Sequence, residues 1–317
     1  MKIVLLEPLG VPKEKIESLA RPFVAAGHEF TPYYTLAADE SEQIERVKDA
    51  DVIIMANHPL TAAVIEKCEK LKYISVAFVG IDHIGKAACQ AKGIYISNAA
   101  GYCDDAVAEL SVGLAMDCLR NISAVNNVIR KGGTKDGLVG HELRGRTVGI
   151  VGTGRIGMAT ARLFKAFGCH LLGYSRTVRS EAEAEGICYV GLDELLSKSD
   201  IVTVHTPLTD ETRNLLGREK IALMKKNAIL INTSRGPVVD NVALAEALNE
   251  GRLAGAGIDV FDGEPPLPED YPLLHAKNAV CTPHVGFATV ESIDRRTEIV
   301  FDNVAKWMEG TVQNRML

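Results

Sequence analysis

The sequence predicts an α/β protein with two parallel sheets. Short apolar and β-branched runs alternate with helix-forming segments along the chain, which is the pattern of strands joined by helical crossovers. Near the middle, a glycine-rich turn over residues 152–157 joins an apolar run to an amphipathic segment. With 317 residues and 47% apolar content, the chain is long and apolar enough for two domains with separate cores.

Strands and helices alternate in the first part of the chain. The predicted strands are short runs bounded by turn residues, at 3–6, 29–33, 52–55, 73–76 and 94–97. The segments between them have the apolar spacing of helices, at 14–26, 41–48, 62–70 and 84–92. This alternation favours a doubly wound parallel sheet with helices on its faces.

The second part of the chain repeats the alternation, with strands predicted at 147–151, 170–174, 201–204, 228–231, 255–259 and 280–282. The preceding segment, 104–131, is predicted as one long helix, because it consists mostly of helix formers and is apolar on nearly every face through Leu119. We therefore expect this segment to be buried between the domains or against another subunit. A final helical segment, 290–310, is long enough to return to the first domain.

The glycine-rich turn has the spacing of a dinucleotide-binding loop. Gly152 permits the turn after the strand, Gly154 lets a pyrophosphate approach the backbone, and Gly157 lets the following helix pack on its strand. Arg155 and Ile156 lie between the glycines, at a helix N-terminus whose unpaired N–H groups attract phosphate. A second strand completes the unit of about 30 residues that dinucleotide binding requires.

Composition and charge exclude several classes of protein. The net charge of −6 and the scattered Lys and Arg residues argue against a nucleic-acid surface. No stretch approaches the roughly 18 apolar residues of a membrane span, and Glu7 and Pro8 interrupt the first apolar run too early for a signal peptide. The 7 cysteines include no C-x-x-C pair, so we predict neither disulfides nor a metal site and expect a cytoplasmic protein.

Three ionisable residues follow predicted strands of the second sheet. The guanidinium of Arg235 can bind a carboxylate through two parallel hydrogen bonds. Glu264 and His284 follow neighbouring strands, so we expect them to touch; the carboxylate then fixes the imidazole tautomer and leaves the other nitrogen to exchange a proton. Each residue alone has an ordinary structural explanation. Their combination with the glycine-rich turn predicts a redox enzyme that acts on a carboxylic acid.

These motifs resemble those of the D-isomer-specific 2-hydroxyacid dehydrogenase family, which includes glyoxylate/hydroxypyruvate reductases and phosphoglycerate dehydrogenases. The glycine turn, residues 234–236, residues 259–265 and Pro283-His284 carry the resemblance, and residues 79–84 and 98–109 extend it over nearly the whole chain. The resemblance implies a flavodoxin-like substrate domain at 1–98 plus 288–317 and a Rossmann dinucleotide-binding domain at 99–287. It also implies an active site in the intervening cleft and a homodimer.

The resemblance assigns roles to individual residues. Arg235 would bind the substrate carboxylate and carbonyl, His284 would transfer the proton, and Glu264 would hold the other nitrogen of His284. Val79 and Gly80 would supply backbone N–H groups to the carboxylate. Further cofactor contacts are implied for His205, Thr206, Pro207, Thr233 and Asp259, the last of them to the nicotinamide carboxamide.

The predicted substrate is a small 2-oxo acid or D-2-hydroxy acid, with glyoxylate, hydroxypyruvate, pyruvate and branched acids left open. No arginine lies within 57–61 or 78–82, which disfavours a phosphorylated substrate. His58 either bonds a substrate hydroxyl or is a solvated loop residue. A dinucleotide-sensing corepressor or scaffold on the same fold is the non-catalytic alternative. A formate- or phosphite-oxidising enzyme is a further one.

The predicted cofactor is NADP, with NAD as the alternative. In NAD enzymes an acidic residue about 20 positions past the glycines normally binds the adenosine ribose hydroxyls. Here Ser175 and Arg176 follow the second strand, and no acidic residue lies between that strand and Glu181. A hydroxyl and a guanidinium both bind a 2′-phosphate, and the missing carboxylate removes a repulsion, so both features favour NADP.

Overall fold

The computed structural model describes residues 1–317. Its strands are β1 (Lys2–Leu5), β2 (Glu29–Pro32), β3 (Val52–Met55), β4 (Tyr73–Val76), β5 (Tyr95–Ser97), β6 (Thr147–Val151), β7 (His170–Tyr174), β8 (Ile187–Tyr189), β9 (Ile201–Val204), β10 (Ile229–Asn232), β11 (Gly255–Ile258) and β12 (Ala279–Cys281). Its helices are α1 (Lys13–Ala25), α2 (Glu40–Val47), α3 (Ala62–Glu66), α4 (Lys86–Lys92), α5 (Asp104–Arg120), α6 (Ile122–Arg130), α7 (Arg155–Ala166), α8 (Ser180–Ala184), α9 (Leu192–Lys198), α10 (Arg218–Ala222), α11 (Asn241–Asn249) and α12 (Val290–Met308). None of the helices combines the length and the apolar character needed to cross a membrane.

The chain divides into two compact units. Unit 1 comprises Met1–Tyr102 and Ala288–Leu317, and unit 2 comprises Cys103–Phe287. The first break falls after Tyr102, whereas the sequence predicts it after residue 98. Residues 98–102 are held within unit 1, because the Ala99 N–H donates to the Phe78 carbonyl (3.0 Å) and Arg295 Nε donates to the Tyr102 carbonyl (3.0 Å).

The sheet of unit 1 is parallel and has the order β2-β1-β3-β4-β5, which is the flavodoxin-like arrangement. Helix α12 packs on this sheet, as the 290–310 segment predicts. The Ser75 hydroxyl donates to the Val300 carbonyl of α12 (3.0 Å), and the Tyr73 ring stacks on Trp307 with centroids 4.9 Å apart. The C-terminal helix therefore belongs to the core of unit 1.

The sheet of unit 2 is also parallel, with the order β12-β11-β10-β9-β6-β7-β8. This is the Rossmann order with one further strand, so the predicted α/β class with two doubly wound sheets is confirmed. The sequence prediction missed β8. That strand has only 3 residues, pairs with β7 alone and follows an acidic helix, so its apolar signal is weak.

The segment predicted as one long helix is two helices, and the prediction is wrong on this point. The backbone of Asn121 is left-handed (φ 54°) and separates α5 from α6. Asparagine adopts this conformation more readily than most residues. The Asp117 carboxylate then accepts a hydrogen bond from the Ser123 N–H at the start of α6 (2.8 Å). The spacing of apolar residues could not predict this break, because it depends on the backbone conformation of one polar residue.

Helix α5 packs on β10, β11 and α7 within unit 2, so its apolar faces are buried by its own unit. A Cβ added to Gly257 of β11 would lie 2.6 Å from the Leu114 Cβ, and only glycine permits this approach of helix and strand. Helix α6 differs, because none of its residues is buried and Ile129 is 67% exposed.

Candidate active site

The predicted catalytic residues follow three adjacent strands of unit 2. Arg235 lies after β10, Glu264 in the loop after β11, and His284 after β12. The sheet places β10, β11 and β12 side by side and parallel, so their C-terminal ends share one edge. Ligands of open α/β sheets bind at this edge.

The structure brings Glu264 and His284 into contact. His284 Nδ1 lies 2.8 Å from Oε2 and 3.0 Å from Oε1 of Glu264. A carboxylate can only accept, so Nδ1 carries the hydrogen and donates it. The side chain of His284 is 20% exposed and that of Glu264 is 65% exposed. The imidazole is thus held by one nitrogen, and Nε2 is left to exchange a proton.

Asp259 holds the backbone of the His284 loop. Its Oδ1 accepts hydrogen bonds from the Thr282 hydroxyl (2.5 Å) and the Val285 N–H (2.8 Å), and its Oδ2 accepts from the Gly286 N–H (2.8 Å). The Asp259 carbonyl also accepts from the His284 N–H (2.8 Å). Burial raises the pKa of Asp259, although these donors oppose the rise. In the structure, therefore, the carboxylate serves the loop, and the implied contact with a nicotinamide carboxamide stays a prediction.

His284 itself has a left-handed backbone (φ 56°). Such a conformation costs a residue other than glycine about 1–3 kcal/mol, and it persists only where the surroundings impose it. The hydrogen bonds of Asp259 hold the His284 loop in this conformation. The orientation of the imidazole therefore depends on a strained backbone.

Arg235 lies in a loop that Asn232 organises. Asn232 Nδ2 donates to the Arg235 carbonyl (3.0 Å), and its Oδ1 accepts from the Ser234 N–H (3.1 Å). A Cβ at Gly236 would lie 1.8 Å from the Phe261 carbonyl oxygen, so the next residue must be glycine. Thr233 is held at its hydroxyl by Ser111 Oγ (2.9 Å). These contacts fix the backbone from which the partly buried side chain of Arg235 extends.

The glycine-rich turn forms a cradle for phosphate. A Cβ at Gly157 would lie 2.0 Å from the Gly152 carbonyl oxygen, and a Cβ at Gly152 would lie 2.7 Å from the His205 carbonyl oxygen. Gly154 has open space around the position of a Cβ, and α7 begins there without a side-chain cap. No side chain of the protein therefore caps the first N–H groups of α7, which phosphate binding requires. Arg155, 71% exposed, pairs with Asp104 (2.7 Å).

Two buried polar atoms beside this cradle have no partner within the chain. They are Nδ1 of His205 and Oγ1 of Thr206, in the segment that follows β9. Strand β9 is the neighbour of β6, so this segment adjoins the glycine turn at the point where the strand order reverses. Buried polar atoms normally have partners, and a bound dinucleotide would supply them. The cradle and these atoms together fit such a cofactor.

His205 is also an acid-sensitive point of the fold. Burial lowers the pKa of its imidazole from 6.5 to about 3, so below about pH 6.5 the unfolded chain binds a proton that the folded chain does not. The contribution of the neutral imidazole to the stability of the fold is fully present above pH 6.5 and is lost as the pH falls below that value.

We expect the free energy of unfolding to fall by about 2 kcal/mol more in the wild type than in His205→Gln when the pH is lowered from about 7 to about 5. Urea titrations at the two pH values measure this difference. Equal losses in both proteins would contradict the expectation.

An acidic residue lies near Arg176 at the end of β7, and the sequence analysis missed it. Arg176 is exposed, and its charge helps to lower the pKa of Glu211, after the larger effect of the hydrogen bond from Thr209. Glu211 belongs to the segment after β9, so an acidic residue lies near Arg176 although none follows β7 directly. The only available signal was that β9, β6 and β7 are consecutive in a Rossmann sheet. Nearby, Tyr189 Oη bonds Thr153 Oγ1 (2.6 Å).

The predicted substrate residues of unit 1 follow β3 and β4. The N–H groups of Val79 and Gly80 donate no hydrogen bond within the chain, whereas the Val79 carbonyl accepts from Asn98 Nδ2 (2.8 Å). His58 is partly exposed and follows β3. Sequence reasoning also missed Arg296, whose guanidinium lies 4.9 Å from the Phe78 ring centroid. Arg296 is only 6% exposed.

A dinucleotide cradle in one sheet and an Arg, Glu and His set at its edge define a nicotinamide-dependent oxidoreductase. Comparison with known proteins narrows this class. The family model for the D-isomer specific 2-hydroxyacid dehydrogenase, NAD binding domain, matches residues 112–286. The chain belongs to the D-isomer specific 2-hydroxyacid dehydrogenase family, as the resemblance predicts.

Individual relatives agree with this result. The chain is 41% identical to a glyoxylate reductase of Korarchaeum cryptofilum over 85% of this chain and 83% of the relative. Over its whole length, this chain is 39% identical to a D-3-phosphoglycerate dehydrogenase of Methanocaldococcus jannaschii. It spans only 59% of that relative. An acyclic imino acid reductase solved with NADPH and D-Arg has a TM-score of 0.89 and 28% identity, with both chains fully covered. The relatives give no support to a non-catalytic corepressor or scaffold.

Proposed function

We propose that the protein reduces a small 2-oxo acid to the corresponding D-2-hydroxy acid with a nicotinamide dinucleotide. One observation carries the proposal: the bond between His284 Nδ1 and Glu264 at a strand edge that also bears Arg235. This set supplies a proton donor and a carboxylate ligand, which are what reduction of a 2-oxo acid needs from a protein. Family membership supports the same reaction.

The residues divide the work as follows. Arg235 binds the substrate carboxylate through two parallel charge-assisted hydrogen bonds. A nicotinamide dinucleotide held by the glycine turn would supply the hydride for this reduction. His284 gives its Nε2 proton to the oxygen on C2, while Nδ1 stays bonded to Glu264. Oxidation of the hydroxy acid reverses both transfers.

The experiment that tests the function follows the absorbance of reduced cofactor with a panel of 2-oxo acids. Glyoxylate, hydroxypyruvate, pyruvate and a branched 2-oxo acid are each assayed with NADH and with NADPH. We expect turnover of at least one unphosphorylated acid. Absence of turnover with every acid, in a protein that still binds a dinucleotide, would favour the non-catalytic alternative.

We also propose that the cofactor is NADP, bound at its 2′-phosphate by Ser175 and Arg176. The exposure of Arg176 supports this assignment, whereas the nearby Glu211 opposes it by repelling a phosphate. The net preference is therefore a balance between one cation and one carboxylate. NAD remains the alternative.

Arg176→Ala is expected to lower the ratio of kcat/KM for NADPH to that for NADH by about 10- to 100-fold, because it removes a charge-assisted hydrogen bond. Glu211→Gln should move the ratio the other way. Initial rates at varied cofactor concentration give both ratios. A wild type that prefers NADH, or an unaltered ratio in Arg176→Ala, would overturn the assignment.

We further propose a homodimer with α6 at its interface. Helix α6 has no buried residues, although Ile122 and Ile129 are apolar and 50% and 67% exposed. Val139, in the loop that follows, is 78% exposed. Val125 and Gly133 line a surface hollow of about 120 Å³ next to Ile129. Clustered apolar exposure of this kind marks contact surfaces.

Light scattering at micromolar concentration is expected to give the mass of a dimer for the wild type. Ile129→Glu should give a monomer, because it places a charge in the apolar surface. Val24→Glu is the matched control, since Val24 is an exposed apolar residue (55%) on another helix. A monomeric wild type would contradict the proposal.

A cytoplasmic location is also proposed. All seven cysteines are free thiols, which is typical of proteins kept in a reducing compartment. Most of them are buried among apolar side chains, where they act as small hydrophobic residues.

A further inference from the structure

The loop over residues 175–179 joins β7 to α8 and carries the proposed 2′-phosphate ligands. No backbone group of residues 175–178 makes a hydrogen bond within the chain. The loop is instead held at its two ends. Just before its start, the Tyr174 carbonyl accepts a hydrogen bond from the Gly152 N–H (2.8 Å), which belongs to the glycine-rich turn.

The hydroxyl of Tyr189, on β8, holds the far end of loop 175–179. Tyr189 Oη accepts a hydrogen bond from the Arg179 N–H (3.3 Å) and bonds Thr153 Oγ1 (2.6 Å). Thr153 follows Gly152 in the glycine-rich turn. Both ends of the loop are therefore tied to successive residues of the turn that forms the phosphate cradle.

The contact between Tyr189 and Thr153 crosses a strand. Strand β7 lies between β6 and β8, so the Tyr189 side chain must pass over it to reach Thr153. The residue of β7 that pairs with Tyr189 is Gly173, and a Cβ there would lie 2.4 Å from Ile187 Cγ2 and 3.3 Å from Thr153 Cγ2. Glycine at this position leaves the space in which the two hydroxyls meet.

The same bond satisfies a buried polar group. Thr153 is 0% exposed, and its hydroxyl bonds Tyr189 alone. Whichever of the two hydroxyls donates, removal of the Tyr189 hydroxyl leaves Thr153 without a partner and frees the Arg179 N–H. Buried groups of this kind are rarely left unpaired, so the link is maintained in the folded protein.

We propose that Tyr189 is a positioning residue for cofactor selection, whose hydroxyl fixes loop 175–179 relative to the glycine-rich turn. The 2′-phosphate and the pyrophosphate of one dinucleotide are then bound at a set separation. The inference rests on the proposed NADP assignment and adds a residue on which that assignment depends. All the residues concerned lie in unit 2.

The physical reason is the cost of ordering the loop. Arg176 is exposed, so its guanidinium is placed chiefly by the backbone from which it extends. A loop held at one end only must be ordered when the 2′-phosphate binds, and this loss of entropy weakens the binding of that phosphate. A loop held at both ends is ordered before binding.

The test compares two ligands that differ only in the 2′-phosphate, which are 5′-AMP and adenosine 2′,5′-bisphosphate. Isothermal titration calorimetry gives both dissociation constants without turnover. We expect the wild type to bind the bisphosphate more tightly. Tyr189→Phe should lower the ratio of the two affinities about 3- to 10-fold, the effect of one neutral hydrogen bond.

Thr153→Val breaks the same bond from the other side and should lower the ratio as well, whereas Thr153→Ser keeps a hydroxyl and should retain it. Tyr271→Phe is the matched control, because Tyr271 Oη also accepts from a backbone N–H of unit 2, that of Asp262 (3.3 Å), but follows β11. Its ratio should equal that of the wild type. Combined with Arg176→Ala, Tyr189→Phe should add little further change, because the loop then has no guanidinium to position.

The possible outcomes separate the two assignments. An unaltered ratio in Tyr189→Phe, with Arg176→Ala still lowering it, would refute the role of Tyr189 and leave the 2′-phosphate site in place. Equal effects of Tyr189→Phe with and without Arg176 would show that the hydroxyl does not act through this guanidinium, and would also refute the role. Equal affinities of the wild type for the two ligands would instead refute the NADP assignment, and the positioning role with it.

Discussion

His284→Asn is expected to lower kcat for reduction by about 10²- to 10⁴-fold while dinucleotide affinity changes little. The substitution removes the group that gives a proton to the substrate oxygen, and general acid catalysis contributes this range. Asparagine is chosen because His284 has a left-handed backbone (φ 56°), which asparagine tolerates and alanine does not. The loss therefore reports chemistry rather than a disturbed loop.

Steady-state rates give kcat, and a fluorescence titration with the reduced cofactor gives its dissociation constant. Glu264→Gln is the companion variant, because an amide can accept from Nδ1 but does not stabilise an imidazolium by charge. We expect it to lower kcat by less than His284→Asn. Near-normal turnover in His284→Asn would refute the role of His284 as the proton donor. A large loss of cofactor affinity would place His284 among the cofactor ligands.

Arg235→Lys is expected to lower kcat/KM by about 10- to 100-fold, with KM raised and kcat reduced. A planar guanidinium donates two parallel hydrogen bonds to a carboxylate, whereas an ammonium retains the charge but loses that geometry. The loss of one charge-assisted hydrogen bond accounts for this magnitude. Because Asn232 bonds the Arg235 carbonyl and the Ser234 N–H, which are backbone groups, the substitution leaves these contacts in place.

Initial rates over a range of 2-oxo acid concentrations separate the effects on KM and kcat. Arg252→Lys is the matched control, since the side chain of Arg252 is 41% exposed, belongs to the same unit and pairs with Glu250. Its kinetics should equal those of the wild type. Unchanged kinetics in Arg235→Lys would remove Arg235 from the substrate site.

Residues whose roles depend on their immediate neighbours in the chain were open to sequence reasoning. The glycine turn is an example, because Gly152 and Gly157 contact each other across one turn of chain, and the Cβ clearances explain why both must be glycine. The contact between Glu264 and His284 was also predictable, since each follows a strand and adjacent parallel strands end at one edge. Proximity in such cases follows from the order of strands.

The alternation of strands and helices, the glycine turn and the residues at the strand ends thus determined the fold class, the family and the set of candidate site residues. Only the tertiary structure placed Glu211 near Arg176, directed the Asp259 carboxylate into the His284 loop and joined Tyr189 to Thr153. These contacts join side chains on elements far apart in the chain. Their distances and hydrogen-bond directions depend on packing, so charge balance, strain and loop position are decided by the folded structure and not by local pattern.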